Sequence, residues 1–251
     1  MNLSGIPGDT AVGKLLRLPL RALREDARVP ILQGRLRGKR WIVGSSTHGC
    51  WLGSYEYEKR RLFERTIQQG STVFDIGANV GFYTLLASVL VGQTGRVVAF
   101  EPVPRNLEYL HEHLRLNRLG NVQVIAAAVA EEEGAADFDY GPHSSMGHLS
   151  ARGPLSVRTV SLDQAIASGA IPAPDYLKVD VEGAEAMVFR GATRVLAESR
   201  PTIFLATHGT EVHRECVDRL SSMGYQLAAI GCADADPCDE ILATPVPPTG
   251  S

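Results

Sequence analysis

Residues Thr72 to Tyr83 read Thr-Val-Phe-Asp-Ile-Gly-Ala-Asn-Val-Gly-Phe-Tyr, and no other stretch constrains the fold as much. A β-rich run, Thr72 to Phe74, ends at Asp75. Gly77 and Gly81 follow, with Asn79 between them, and an apolar helical pattern begins. This order predicts a strand, a tight turn and a helix, the entry to a nucleotide-binding α/β unit. Glycine lets the backbone turn sharply and approach a ligand with no Cβ in the way. The spacing Gly-x-Asn-x-Gly is not the Gly-x-Gly-x-x-Gly of dinucleotide sites. It suits a ligand without a pyrophosphate, such as S-adenosylmethionine, whose charged amino-acid end can lie against the turn. A purely structural turn is the alternative.

A second element sharpens the reading. Arg96 to Phe100 is another β-branched run, and it ends in Glu101-Pro102. An acidic residue roughly 20–30 positions after the turn, at the end of the next strand, is placed to accept hydrogen bonds from both ribose hydroxyls. Pro102 and Pro104 set the chain direction where that carboxylate must point inward, which argues against a solvated surface Glu.

Composition narrows the class. The chain has 251 residues, of which 44% are hydrophobic and 21% charged, enough for one large domain with a substantial core. No apolar run approaches the ~20 residues of a membrane span. Lys14, Arg17, Arg21 and Arg24 interrupt the apolar stretch that a secretory signal needs. Cys50, Cys216, Cys232 and Cys238 show no metal-ligand spacing. Cys232 and Cys238 are near enough in sequence to approach each other, yet no disulfide framework and a cytoplasmic location are expected. The net charge of −3 conceals an asymmetry: residues 1–61 carry 12 Lys/Arg against 5 Asp/Glu, and the remainder is acidic. A basic N-terminal segment either packs on the acidic part or steers an anionic substrate.

The predicted organisation has three parts: an N-terminal extension over residues 1–54, a catalytic domain over 55–244, and a flexible tail from 245. The extension holds a broken helix over 11–26 and a β-hairpin formed by 31–37 and 39–43 about Gly38. Ser54 is a candidate cap for a helix over 55–69. Strands are expected at 72–75, 97–100, 122–126, 175–180, 202–207 and 225–230. Helices are expected at 80–91, 103–118, 184–198 and 210–223. Such alternation implies an α/β fold with a mostly parallel, doubly wound sheet. The interval 131–174 breaks the rhythm with short β-like pieces at 135–140 and 156–160, and reads as an inserted flap.

Candidate chemistry lies on the later strands. Lys178 and Asp180, two apart on one strand, share a face, and Asp180 sits at the carboxyl end, where open α/β sheets bind ligands. Lys178 is one of only 4 lysines beside 21 arginines, and its structural alternative is an ion pair that orients Asp180. Glu182 and Glu185 follow at a helix start, where the dipole favours carboxylates. The next strand delivers His208 to the same edge, a candidate general base. Tyr55, Glu56 and Glu182, with His148 from the flap, are candidates for acceptor contacts. His143 and Met146 read as ordinary loop residues.

Asp75-Ile-Gly-Ala-Asn-Val-Gly-Phe-Tyr83, Val98-Ala-Phe-Glu-Pro102 with Pro104 and Asn106, Ser161-Leu-Asp163, Lys178-Val-Asp-Val-Glu-Gly-Ala-Glu185 and Gly191-Ala192 together resemble the FkbM-type methyltransferase family. The resemblance covers roughly residues 70–210, and its ordered combination is specific. It implies a class I methyltransferase fold, Rossmann-like with seven strands, S-adenosyl-L-methionine as cofactor, and O-methylation of a small hydroxylated metabolite. By resemblance, Asp75, Gly77, Asn79 and Gly81 line the methionine end of the cofactor and Glu101 holds the ribose, with Ala78, Pro102, Ala128 and Asp180 as further candidate cofactor contacts. Asp180 and His208 face the methyl group, and Lys178 eases developing charge. Two departures stand out. Ala126-Ala-Ala128 replaces the acidic residue that binds adenine in many methyltransferases. Ala206 stands where many family members carry Glu, so no obligatory metal is expected. Two other readings are a nucleic-acid methyltransferase, disfavoured by the acidic balance, and a non-catalytic adenosine-binding scaffold.

Overall fold

A computed structural model describes residues 20, 23–139, 148–149, 153–232 and 238–247. Its centre is a seven-stranded sheet built from β3 (Thr72–Ile76), β4 (Arg96–Phe100), β5 (Val122–Ile125), β10 (Tyr176–Val179), β11 (Thr202–Ala206), β12 (Tyr225–Ala229) and β13 (Glu240–Pro245). The strand order is β12-β13-β11-β10-β3-β4-β5. All neighbours are parallel except β13, which runs antiparallel to both β11 and β12. The order reverses between β3 and β10, and their carboxyl ends open the crevice in which such sheets bind ligands.

Two small strands and two helices precede the sheet. The strands β1 (Arg28–Pro30) and β2 (Arg40–Ile42) pair antiparallel. The first strand thus lies before the 31–37 stretch expected for it. Pro30 ends it, and residues 31–38 fold into a connection with Gly34 at φ 75° and Gly38 at φ 86°, burying Ile31 and Leu36. Of the expected helix over 11–26, residues 11–19, 21 and 22 lie outside the described residues, and residues 25–26 form a turn. Helix α1 (His48–Leu52) leads into α2 (Tyr57–Thr66), whose cap is Glu56 in the left-handed region rather than Ser54.

The helices α3 (Phe82–Val91), α4 (Pro104–Asn117), α5 (Leu162–Ala167), α6 (Glu185–Arg190) and α7 (Thr210–Ser222) complete the layers. Helix α3 is apolar nearly all round and is buried except at Val89, as a helix packed beneath other elements must be. The helix expected over 184–198 breaks at Gly191 and continues as a π-helical turn, Val195–Ser199. Asp163 holds that turn by accepting from the backbone N–H groups of Arg194 and Val195 at 2.9 Å each.

The flap is a second sheet of four strands, β6 (Ala128–Val129), β7 (Gly134–Asp139), β8 (His148–Leu149) and β9 (Leu155–Val160), in the order β6-β9-β7-β8. At the C-terminus two expectations change. Strand β13 was not predicted, and Pro245, placed at the start of a tail, pairs with Tyr225. An antiparallel strand inserted between two others leaves little periodic trace over a stretch of Ile, Ala and Pro. Cys232 and Cys238, the pair near enough in sequence to meet, are joined by a disulfide that clips the β12–β13 connection, while Cys50 and Cys216 are free and buried.

Candidate active site

Strand β3 ends and the chain turns through Gly77 at φ 77° and Asn79 at φ 50°. A Cβ on Gly77 would lie 1.9 Å from the carbonyl oxygen of Asp180, so only glycine lets β3 and β10 close together here. The N–H groups of Gly77 and Ala78 donate to the carbonyl of Phe100 at 3.1 and 2.9 Å, tying the turn to β4. Glu101 completes the link. One carboxylate oxygen accepts from the N–H of Asn79 at 2.7 Å, the other from the N–H of Val103 at 2.9 Å and the side chain of Asn106 at 3.2 Å. Burial pushes the Glu101 carboxyl above its usual range, and these donors oppose the shift.

A cleft of about 960 Å³, measured to its open mouth, runs over these groups. Gly77, Ala78, Asn79, Glu101 and Pro102 line it on the β3–β4 side, and Ala128 and Phe138 of the flap sheet wall one end. Lys178, Asp180 and Glu182 line the β10 side, and Tyr55 closes from the N-terminal segment. Two expected cofactor residues stand apart. Asp75 is 1% exposed and accepts from the Thr84 hydroxyl at 2.6 Å beneath the turn. Gly81 heads α3, where a Cβ would meet Leu110 at 2.4 Å. Both build the turn from below and contribute no cleft surface. His148 lies on β8, and its side chain is outside the described residues, as are His143 and Met146.

Beneath the cleft floor lies a buried charge network. The Lys178 ammonium is 3.3 Å from Asp180 and 3.6 Å from Asp75, and it donates to the Gly77 carbonyl at 3.1 Å. Burial alone would lower its pKa, but Asp180 and Asp75 outweigh that and raise it. Lys59 of α2 meets Glu240 at 2.7 Å, Glu56 at 2.8 Å and Asp180 at 3.8 Å. Glu56 also accepts from the Tyr83 hydroxyl at 2.9 Å. Both ammonium groups lie over the Tyr83 ring, each 5.6 Å from its centroid. Burial would raise Asp180, yet Lys178 and Lys59 hold it below the usual carboxylate range. Sequence reasoning missed Lys59 and Glu240. The scarcity of lysine that singled out Lys178 applied equally to Lys59 and would have found it.

His208 stands at the end of β11. Its Nδ1 hydrogen-bonds Oε1 of the fully buried Glu185 at 2.8 Å. Its Nε2 lies 3.5 Å from Glu182 and 3.8 Å from Asp180, too far for good hydrogen bonds. The Glu185 contact, with Glu182 and Asp180 nearby, raises the imidazole to about 9 despite partial burial. Three carboxylates around the ring favour its protonated form as long as no cation stands at Nε2. Asp180, Glu182 and His208 each offer one ligand atom, all within 4.8 Å of one another, and form a set able to hold a metal ion.

The methyltransferase FkbM domain matches residues 75–227, more than half of the chain. The chain belongs to the FkbM methyltransferase family. A curated relative, the hexuronic acid methyltransferase AglP of Haloferax volcanii, is 29% identical over 143 residues, which are 56% of this chain and 58% of the relative. The chain thus spans less than two thirds of that relative's length. A solved structure, methyltransferase FkbM from Methylobacillus flagellatus KT, superposes with a TM-score of 0.57 at 21% identity, covering 77% of this chain and 49% of that one. The latter likeness is one of fold: the class I methyltransferase architecture, with its mainly parallel sheet. No helix among the described residues is long and apolar enough to cross a membrane.

Proposed function

We propose that this FkbM-family chain transfers a methyl group from S-adenosyl-L-methionine to a hydroxyl of a small sugar-type acceptor, a hexuronic acid being the first to test. The observation that carries the reading is Glu101 on the cleft wall. Three donors fix its carboxylate, leaving an Oε2 lone pair for a ribose hydroxyl, and Ala127, Ala128 and Phe138 give an apolar wall suited to an adenine ring. When bound, the sulfonium supplies an already activated methyl group, so the protein's task is alignment and handling of the hydroxyl proton.

Asp180 and Glu182 are the carboxylates lining the cleft at the β10 edge, and they receive the hydrogen bond of the acceptor hydroxyl. Lys178 holds Asp180 in place from below. Tyr55 and, behind it, Glu56 bound the acceptor side. The sugar class follows the name of the AglP relative, with an acceptor that can carry negative charge.

Two measurements test the reading. Glu101→Ala should weaken calorimetric binding of S-adenosylhomocysteine by about 10- to 100-fold, the scale of lost hydrogen bonds to a charged group; unchanged affinity would overturn the site. Labelled methyl transfer should appear with hexuronic acids. Transfer to none of a panel of hydroxylated sugars would sink the acceptor class.

A further inference from the structure

We infer that Asp180, Glu182 and His208 form a binding site for a divalent cation of the Mg2+/Mn2+ class at the mouth of the cleft, with Glu185 orienting the histidine. The role of the cation rests on the methyl-transfer reading; the site itself does not. Three features carry it. First, the ligand atoms suit a metal better than one another. Glu182 and Asp180 oxygens lie 3.5 and 3.8 Å from His208 Nε2. Both are long for a hydrogen bond; 3.5 Å matches the ~3.0–3.5 Å between neighbouring ligands about a metal with bonds of ~2.1 Å, and 3.8 Å lies within the ~4.2 Å that opposite ligands span.

Second, the imidazole is prepared as metal ligands commonly are. Its Nδ1 is held by a buried carboxylate, leaving Nε2 directed at the cluster. Glu185 is 0% exposed, and its Oε2 has no hydrogen-bond partner among the described residues. The N–H groups of Val181 and Gly183 donate to its other oxygen at 3.3 and 3.1 Å, so the group that aims His208 is itself fixed.

Third, charge is out of balance. Lys59 and Lys178 serve Glu56, Glu240, Asp75 and Asp180. Among the described residues neither Glu182 nor Glu185 has a lysine or arginine at ion-pair distance; the basic side chain at that distance from each is His208. A divalent cation at Nε2 supplies the missing positive charge. It also reconciles an acidic edge with an acidic acceptor, because a cation shared by Asp180, Glu182 and His208 has further positions for a sugar's hydroxyl and carboxylate oxygens. Glu182 adopts φ 53°, a left-handed conformation costly for a non-glycine residue, which places its carboxylate over this edge.

The test is Mn2+ binding to the full chain, read by loss of the free-ion electron paramagnetic resonance signal. One Mn2+ per chain is expected. Glu182→Gln and His208→Gln should each weaken it at least 10-fold, and Glu185→Gln by about 10- to 100-fold. Glu182 is partly exposed, so Glu182→Gln is the variant least exposed to folding defects, and circular dichroism checks each fold. No binding up to millimolar Mn2+, or equal affinity in wild type, Glu182→Gln and His208→Gln, overturns the inference. Undiminished methyl transfer in EDTA by a chain that binds no Mn2+ also overturns it and leaves the methyl-transfer reading standing. Mn2+ bound with the expected variant losses, but with no transfer to any sugar, supports the site and defeats the acceptor instead.

Discussion

His113 shows how much one side chain can decide. It lies on α4, stacked on Trp41 with centroids 3.9 Å apart. The N–H of Ile42 donates to its Nε2 at 3.1 Å, so Nδ1 carries the proton and donates to the Val80 carbonyl at 2.8 Å. One neutral ring thereby joins the N-terminal hairpin to the glycine turn. Burial lowers its pKa to about 4. Because the folded value lies below the unfolded one, the stability it contributes is present above about pH 6.5. As pH falls from there toward about 4, the unfolded chain takes up the proton first, and stability falls by about 1.4 kcal/mol per pH unit. Urea unfolding between those limits should show a pH slope in the wild type steeper by this amount than in His113→Gln. Parallel slopes would remove the assignment. Nothing in the sequence marked His113, because its role depends on partners 71 and 33 positions away.

At the scale of elements, the motifs read from sequence are mostly joints. Ser161, Asp163 and Gly191 entered as parts of a family pattern, and the structure brings them together. The Ser161 hydroxyl donates to the Gly191 carbonyl at 3.0 Å, and the Asp163 N–H donates to the same oxygen at 2.9 Å. A Cβ on Gly191 would sit 2.0 Å from the Ala130 carbonyl oxygen, where α6 crosses the base of the flap. Gly169 has φ 74° with nothing within 4 Å of its Cβ position. Gly191→Ala should therefore destabilise by about 2 kcal/mol or more through a backbone clash, and Gly169→Ala by about 1 kcal/mol through backbone strain alone. Chemical denaturation of the pair checks the order; equal losses would contradict the packing. The strand–turn–helix entry and the parallel strands were legible because each carries its own apolar run and glycine. The helix break at Gly191 was not, since it answers to a carbonyl on another element.

Across the whole molecule, Lys59 is the tie between the chain's two ends. From α2 it reaches Glu240 at the start of β13 and Asp180 at the end of β10, while only 5% exposed. Removing one partner of a buried ionic cluster leaves the others uncompensated, at a cost of about 3–5 kcal/mol. Lys59→Ala should lower unfolding stability on that scale and also weaken methyl transfer, because Asp180 loses a neighbour. A loss below 1 kcal/mol would show the network to be solvated. The basic balance of residues 1–61 left packing on the acidic part or substrate steering open; among the described residues, Arg28 and Lys59 of that segment form ion pairs with Glu112, Glu240 and Asp180.

The local order of residues was enough to determine the doubly wound α/β class, the glycine turn and the acidic partner at Glu101, because strand, turn and helix preferences act over a few neighbours. That same order also placed Lys178, Asp180 and His208 at one edge, since strand ends in a parallel sheet share a side. Only the tertiary structure decided what these groups do. Asp75 sinks beneath the turn, β13 enters antiparallel between β11 and β12, and Glu185 holds His208 toward Glu182 and Asp180. Charge and burial are properties of neighbours in space, and at this edge those neighbours come from strands and helices far apart in the chain.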